Sequence, residues 1–521
     1  MGVLRPARLV VVVGLALVAV VLTGSAAYAE GPLPPAIDSG AGGLGVSTNL
    51  LWICVGGALV MFMQGGFALV ETGFTRKKNA AHTMGMNVAI FGTAFAAFFV
   101  IGYGLMFGGY SFPNLFGYDT RVGSELLGRG NWVFLWRAPL FMSGKASTVS
   151  VLAYFFYMAA FMDATATIPT GAMAERWKWN NFVVWGFFCG AIYYPLFGAW
   201  TWGGGWLAKL GASASLGHGY VDFAGSGVVH AMGGMAALAG AIVLGPRIGK
   251  YRRDGRPQAI PGHNIPMALM GVIVLLFGWF GFNGASTLAA TDTRFGLIIA
   301  NTAIAAAFGT VISMLYVMKR FGKPDPAMFG LGLLAGLVAI TAPCAFVTPW
   351  AAALIGSIAG VVVVEAVLFI DRRGVDDPVG AVAVHGVNGV WGLIALGLFA
   401  NGKYGGDWNA TAASGGTKTA NVWGLFYGHG GAGQLVAQLI GVLVLCTVMF
   451  GIAYAFFRIS DMVMEGGIRS DRDSELAGLD VPDMGMHGYN DENLTGFEHE
   501  YVPRVSKAAI SKAVRDRQPT E

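Results

Sequence analysis

A chain of 521 residues that is 55% hydrophobic and only 12% charged carries about half the charge of a usual soluble domain. Apolar runs of about 20 residues recur along it, each long enough to cross a hydrocarbon layer about 30 Å thick as a helix, whereas a membrane barrel would show short alternating segments. The net charge of +4 implies no acidic or nucleic-acid partner, because basic loops between spans account for it.

The first apolar run stands apart. Arg5 and Arg8 precede Leu9 to Leu22, and Ala27-Tyr28-Ala29 then offers a small-x-small cleavage site, the layout of a secretory signal peptide over residues 1–29. The mature chain is expected to start near Glu30, outside the cytosol. An uncleaved anchor is the alternative.

Eleven spans follow, at about 48–71, 86–109, 148–174, 181–203, 222–244, 266–286, 294–318, 328–347, 350–370, 380–400 and 433–458. Arg76-Lys77-Lys78, Arg176 with Lys178, Arg247 through Arg256, Lys319-Arg320-Lys323 and Arg372-Arg373 all follow odd-numbered spans. Short loops after even-numbered spans are nearly free of Lys and Arg, so the amino end is expected outside and the carboxyl end inside the cell. The long outer loop, about 110–147, counts little in that rule. Cys54, Cys189, Cys344 and Cys446 are isolated in four spans and imply no disulfide framework. Beyond Arg458 (459–521) a charged tail follows, too short and polar for its own core; a docking or regulatory role is expected.

Two stretches stand in the same frame. "DFAGSGVVHAMGG" (222–234) and "DPVGAVAVHGVNG" (377–389) match at Asp222/Asp377, Gly225/Gly380, Val229/Val384, His230/His385 and Gly234/Gly389. Asp222 opens the fifth span and Asp377 precedes the tenth, so the copies run oppositely through the membrane. Spans 1–5 and 6–10 are therefore read as inverted halves of an all-α integral membrane fold, a 5+5 inverted repeat plus one extra C-terminal helix. At 1.5 Å per residue each histidine sits roughly 12 Å in from its aspartate, which brings the two imidazoles within about 6 Å along the membrane normal. The same rise excludes an Asp–His hydrogen bond within one helix. Both aspartates fit helix capping as well as substrate contact.

Ionisable groups are costly in a bilayer, so a duplicated buried histidine points to a pathway lining rather than to two core side chains. Facing imidazoles can share a proton without fixed charge. A metal centre is disfavoured by the lack of thiolates and of further ligands, and neither a metal nor another cofactor is expected. A small neutral or proton-exchanging solute fits better.

The segments "GGFALVETGFTRKKNAAHTMGMN" (65–87), "GAMAERWKW" (171–179), "WGGGWL" (202–207), "DFAGSGVVH", "GWFGFNGAS" (278–286) and "DDPVGAVAVHGVNGVWG" (376–392) together resemble the ammonium transporter (Amt/Mep/Rh) family, Amt-type, from span 1 into the tail. The resemblance implies transport rather than enzymatic activity, through a narrow hydrophobic pore in the cell membrane. It implies that Trp202 and Ser286 recruit ammonium at the outer mouth, by cation–π attraction and hydroxyl acceptance. Asp222 is taken with them as a candidate outer-mouth residue. By the same resemblance Phe161 and Phe282 gate the pore, and His230 and His385 receive the passing molecule. It also implies a homotrimer in lipid and a tail, "SELAGLDVPDMGMHGYN" (474–490), that responds to PII-type signal proteins. The alternatives are a Rh-like channel for neutral ammonia or carbon dioxide, and an ammonium sensor signalling through its tail. Asp163 and Pro169 are unexpected in an apolar span 3, and Asp163 stays open between cavity cap, trimer contact, proton path and a protonated structural residue. Glu71 and Glu365, close to basic loops, are read as structural.

Overall fold

Helix starts in this chain are written locally. Asn264 Oδ1 accepts the Met267 amide at 3.0 Å, Asp325 Oδ1 accepts that of Ala327 at 2.9 Å, and Pro326 and Pro349 occupy first-turn positions where no amide is needed. The computed structural model describes residues 41–117, 121–404 and 421–489. The expected signal peptide and the end of the tail lie outside the described residues.

Among the described residues, ten helices are long and apolar enough to cross a membrane. They are α1 (Gly43–Phe74), α2 (Lys77–Phe107), α3 (Val149–Met173), α4 (Trp179–Trp200), α5 (Ser226–Leu244), α6 (Ile265–Thr287), α7 (Phe295–Phe321), α9 (Pro349–Arg372), α10 (Val382–Phe399) and α11 (Gly431–Val463). The expected eighth span appears as α8 (Pro326–Thr341), only 16 residues long. It would cover about 24 Å as a helix; turns carry the chain on past Pro343 to the start of α9. A short hairpin, β1 (Ser124–Arg129) and β2 (Trp132–Arg137), occupies the long loop before α3.

The packing repeats across the two halves. α1 packs on α3 and α3 on α5; equivalently, α6 packs on α8 and α8 on α10, while α1 and α6 form an extensive contact of their own. The duplicated frame is duplicated in backbone detail as well. Gly225 and Gly380 both take positive φ, 116° and 73°, a region where only glycine is unstrained. Five residues after each aspartate the same amide is capped: Gly227 N donates to Asp222 Oδ2 at 2.9 Å and Val382 N to Asp377 Oδ2 at 2.7 Å. Each histidine then lies in a π-helical stretch, Ser226–Ala231 and Val382–Val387. Such wide turns gather at functional sites because they re-aim side chains.

α5 and α10 cross at the remaining matched pair. A Cβ on Gly234 would stand 2.2 Å from Gly386 N, and one on Gly389 would stand 2.4 Å from Ser226 O. Backbones approach this closely only where side chains are absent.

The face that carries the basic loops also carries the tail. After α11 the chain runs back over that face as far as Tyr489, through the short helix α12 (Arg472–Ala477). Lys78 Nζ donates to Glu475 O at 2.8 Å, Leu479 N to Asn79 Oδ1 at 2.9 Å and the His82 amide to Asp480 Oδ1 at 2.9 Å. Ile248 N donates to Glu475 Oε1 at 2.7 Å, which fastens α12 to the loop after α5. Beneath lies a buried ion cluster. Arg247 donates to Glu175 at 2.7 Å and to both oxygens of Asp376 at 2.8 and 3.0 Å, while Arg176 reaches Asp376 O at 2.8 Å. Burial pushes the Asp376 carboxyl up, but the hydrogen bonds from Arg247 and the charges of Arg176 and Arg247 outweigh it and hold it well below the usual range.

Candidate functional site

A cavity of about 330 Å³ opens on the face opposite the tail, between α3, α6 and the loop after α4. Tyr157, Phe161, Trp202 and Ser286 line its floor, with Asp292 and Arg294 among its other walls. The Trp202 indole is pinned, its Nε1 donating to Asp222 O at 2.7 Å. Two hydroxyls meet beside it, Tyr157 Oη and Ser286 Oγ, at 3.0 Å. Ser286 Oγ also donates to Phe282 O at 2.8 Å, which commits its only proton, so Tyr157 is the donor within the pair. Each oxygen keeps lone-pair capacity, and the pair can accept from a solute carrying several N–H groups.

Asp222 belongs to the layer beneath. Its carboxylate accepts the amides of Gly225, Gly227 and Val228 at 3.0, 2.9 and 2.8 Å, with Tyr220 Oη 3.3 Å away, and it is absent from the cavity lining. Both oxygens are spent on starting α5. It acts on the vestibule through its backbone carbonyl, which holds Trp202.

Below the vestibule a column of rings runs inward. Phe161 meets Trp202 edge-on at 5.8 Å and Phe282 at 4.1 Å between centroids, tilted 35°. Both phenyl rings are fully buried. Phe282 lies 5.4 Å from the His230 ring, and Trp279 stacks on that imidazole at 4.8 Å and 18°. Trp279 is held by its own indole N–H, which donates to Thr341 at 2.8 Å.

His230 and His385 are in direct contact, Nδ1 to Nδ1 at 3.1 Å. At that distance one Nδ1 must donate and the other accept, so a neutral pair contains both tautomers. Nε2 of His230 is buried without a protein partner, whereas His385 is slightly open toward the tail side.

A second, small cavity lies beyond His385 and leaves about 20 Å³ for the centre of a water-sized molecule. Phe67, 6.0 Å from the His385 ring, lines it together with Ile168, Val384 and Glu71. Glu71 was expected to be structural. It does bind Asn87 Nδ2 at 2.7 Å and Thr170 Oγ1 at 2.8 Å, but it also borders the space under His385. Glu365, by contrast, bridges α9 to α7 by accepting from Tyr316 Oη at 2.6 Å and pairing with Arg320. Asp163 is buried within α3 with Oδ1 unpartnered, and it lines neither cavity.

Trp202, Ser286, Phe161, Phe282, His230 and His385 thus fall along one line, and Asp222 stands beside it. Sequence reasoning did not pick out Tyr157, Trp279 or the cavity role of Glu71. The spacing carried a signal for the first two: Tyr157 is one turn before Phe161, and Trp279 three residues before Phe282, so each shares a helix face with a selected ring. Among the described residues no group of three or more His, Cys, Asp or Glu is placed to hold a metal ion.

The sequence profile of the Ammonium Transporter Family matches residues 51–489. The ammonium transporter Amt2 of Archaeoglobus fulgidus is 43% identical over 443 residues, covering 85% of this chain and 88% of its own. Ammonium transporter 1 member 3 of Solanum lycopersicum is 32% identical, over 88% of this chain and 96% of its own. Among solved structures, a sensor Amt protein superposes with a TM-score of 0.71 at 34% identity, covering 84% of this chain and 99% of that one. Candida albicans Mep2 gives 0.67 at 29% identity, over 82% and 87%.

Proposed function

The chain belongs to the ammonium transporter family, and from that premise we propose that it carries ammonium across the cell membrane by separating the proton from the ammonia. Support comes chiefly from the unbroken column of rings between the hydroxyl pair and the touching imidazoles. Ammonium is drawn to the face of Trp202 and donates to Ser286 and Tyr157. The two phenyl rings leave it no water. Crossing them as an ion would incur the cost of burying an unpaired charge, whereas ammonia crosses as a neutral molecule the size of water.

The proton passes to the histidine pair, whose shared Nδ1–Nδ1 contact lets a proton added at one ring be released at the other. Potassium is attracted to the same vestibule but has no proton to give up, so it gains nothing from the imidazoles. Basic loops on the tail face support placing that face in the cytoplasm and the vestibule outside. The homotrimer and a PII-type partner at the tail are carried over from the family resemblance.

A second reading rests on one observation. A solved relative is described as a sensor, and in this chain the tail is tied to the start of α2 and to the loop after α5, so it is positioned to report a change in the helices. Truncation after Val463 separates the two readings: transport intact with signalling lost favours an added sensory role.

Ammonium pulses on proteoliposomes test the main reading. The unaltered protein is expected to give an inward positive current, and His230→Ala either none or a current that potassium also carries. Full ammonia uptake with no current would overturn charge movement. An unchanged, ammonium-selective current in His230→Ala would overturn the role of the pair.

A further inference from the structure

A cavity of about 270 Å³ lies on the tail face and shares no lining residue with the vestibule or with the space under His385. Three segments meet around it: the start of α4 with Lys178 and Trp179, the stretch from Ser470 into α12, and the tail turn Asp480–Met484 with Pro482 and Asp483. Its cationic donor is already spent. Lys178 Nζ gives its three protons to Glu465 O, Gly466 O and Gly467 O at 3.1, 2.7 and 2.9 Å. The amides of Asp473 and Ser474 both donate to Asp471 Oδ1, at 3.1 and 3.0 Å, and Ser474 Oγ donates to Asp471 Oδ2 at 2.8 Å.

Acceptors are left over. Asp483 Oδ2 takes the Trp179 amide at 3.3 Å and stands 3.3 Å from Nε2 of the fully buried His82, which fixes the carboxylate by one oxygen and leaves Oδ1 uncommitted. Ser470, another lining residue, is 7% exposed, and its buried Oγ has no partner. The charges of Asp461 and Glu465 add to those of Asp471 and Asp483 around the single Lys178 ammonium, so negative charge prevails.

We propose that this cavity binds a small organic cation carrying several N–H donors, such as a primary diamine, and that the bound cation fastens the tail to the start of α4. The proposal is independent of the transport reading. Asp483 Oδ1, Ser470 Oγ and the remaining lone pair of Asp471 Oδ2 accept from the ligand, and Trp179 and Pro482 give its carbon chain an apolar wall. An anion would meet the carboxylates with no free ammonium to offset them. A bare metal ion would need more ligands, and no group of three or more His, Cys, Asp or Glu is placed to hold one among the described residues. The volume is well above the roughly 30 Å³ share of one water-sized molecule and just under the range of drug-sized ligand sites. Because the lining comes from separate segments, a ligand that binds only the assembled cavity stabilises the docked tail by mass action.

The test uses the full chain in detergent micelles with saturating ammonium present, putrescine as the probe, and butanediol and succinate as neutral and anionic molecules of the same carbon length. Calorimetric titration is expected to show binding of putrescine and not of the other two. Asp483→Asn keeps the shape and removes the charge; it should weaken putrescine binding about tenfold, and Ser470→Ala about threefold. No binding to the unaltered protein, equal binding of butanediol or succinate, or unchanged binding in Asp483→Asn would overturn the site. Binding lost in Ser286→Ala but kept in Asp483→Asn would place the diamine in the vestibule and equally defeat the proposal. Should Asp483→Asn not accumulate, limited proteolysis of the unaltered protein decides. Putrescine should slow cleavage within residues 464–489 at least threefold relative to ammonium chloride of the same ionic strength, and equal rates in the two salts would refute the site.

Discussion

Ser286→Ala removes one oxygen from the vestibule floor and tests whether the hydroxyl pair binds the cation. In the intact site Ser286 Oγ accepts from Tyr157 at 3.0 Å, donates to Phe282 O at 2.8 Å, and has one lone pair left for an N–H of ammonium. A hydrogen bond to a charged partner contributes about 1.5–3 kcal/mol, and each 1.4 kcal/mol is about tenfold in affinity. The vestibule, at about 330 Å³, has room for water to take the place of the lost hydroxyl, which favours the lower end. The half-saturating ammonium concentration is therefore expected to rise about tenfold, with maximal current kept within about threefold because the rings and histidines below are untouched. Tyr157→Phe, which keeps the ring and loses one oxygen, should give a smaller rise in the same direction. Concentration series of ammonium-evoked current read both numbers. A half-saturation within twofold of the unaltered protein in Ser286→Ala would refute the hydroxyl pair as a recruiting site. A fall in maximal current alone would mean that the substitution acts on the Phe282 ring instead.

Arg247→Met leaves Glu175 and Asp376 buried without their shared cation, and should cost about 3–5 kcal/mol, seen as a drop in thermal midpoint and as protease access to the tail. The low-held Asp376 binds fewer protons folded than unfolded, so its stabilising share is present above about pH 4 and lost as the pH falls below that value; the thermal midpoint should drop there, and less steeply in Arg247→Met. Gly234→Leu drives a side chain into the Gly386 backbone 2.2 Å from its Cβ, and should abolish current by parting α5 from α10 even where folded protein accumulates.

Most of the pathway could be read from the chain because the relevant residues repeat in one frame. The 155-residue offset between His230 and His385 is shared by the capping aspartates, the positive-φ glycines and the crossing glycines, so one alignment located four kinds of contact. Spacing arithmetic placed the imidazoles within about 6 Å along the normal, and they touch at 3.1 Å. What stayed hidden has a common cause. Asp222 could be a cap or a ligand, and only the three amides on its oxygens assign them to the cap. Glu71 lies near a basic loop in sequence, but its direction depends on where α1 rests against α3 and α10, a tertiary fact with no periodic signature. The short α8 was read as a full span because hydropathy runs on through Ala345-Phe346-Val347 after Pro343 has ended the helix. The hairpin before α3 was missed because two six-residue strands inside a long loop carry little pattern of their own.

The order of groups along the column bears on what selects ammonium. Attraction alone cannot, since an indole face and two hydroxyl oxygens draw potassium as they draw ammonium. Size alone cannot either, because the vestibule is roomy. Discrimination must therefore come where the ion would be stripped, at two fully buried rings 4.1 Å apart with a proton acceptor 5.4 Å beyond the second. There an ion that can become neutral avoids the cost of a bare charge in an apolar passage, and one that cannot bears all of it. On this logic the histidine contact and the aromatic pair act as one device: the rings make the charged route costly, and the imidazoles make the neutral route available.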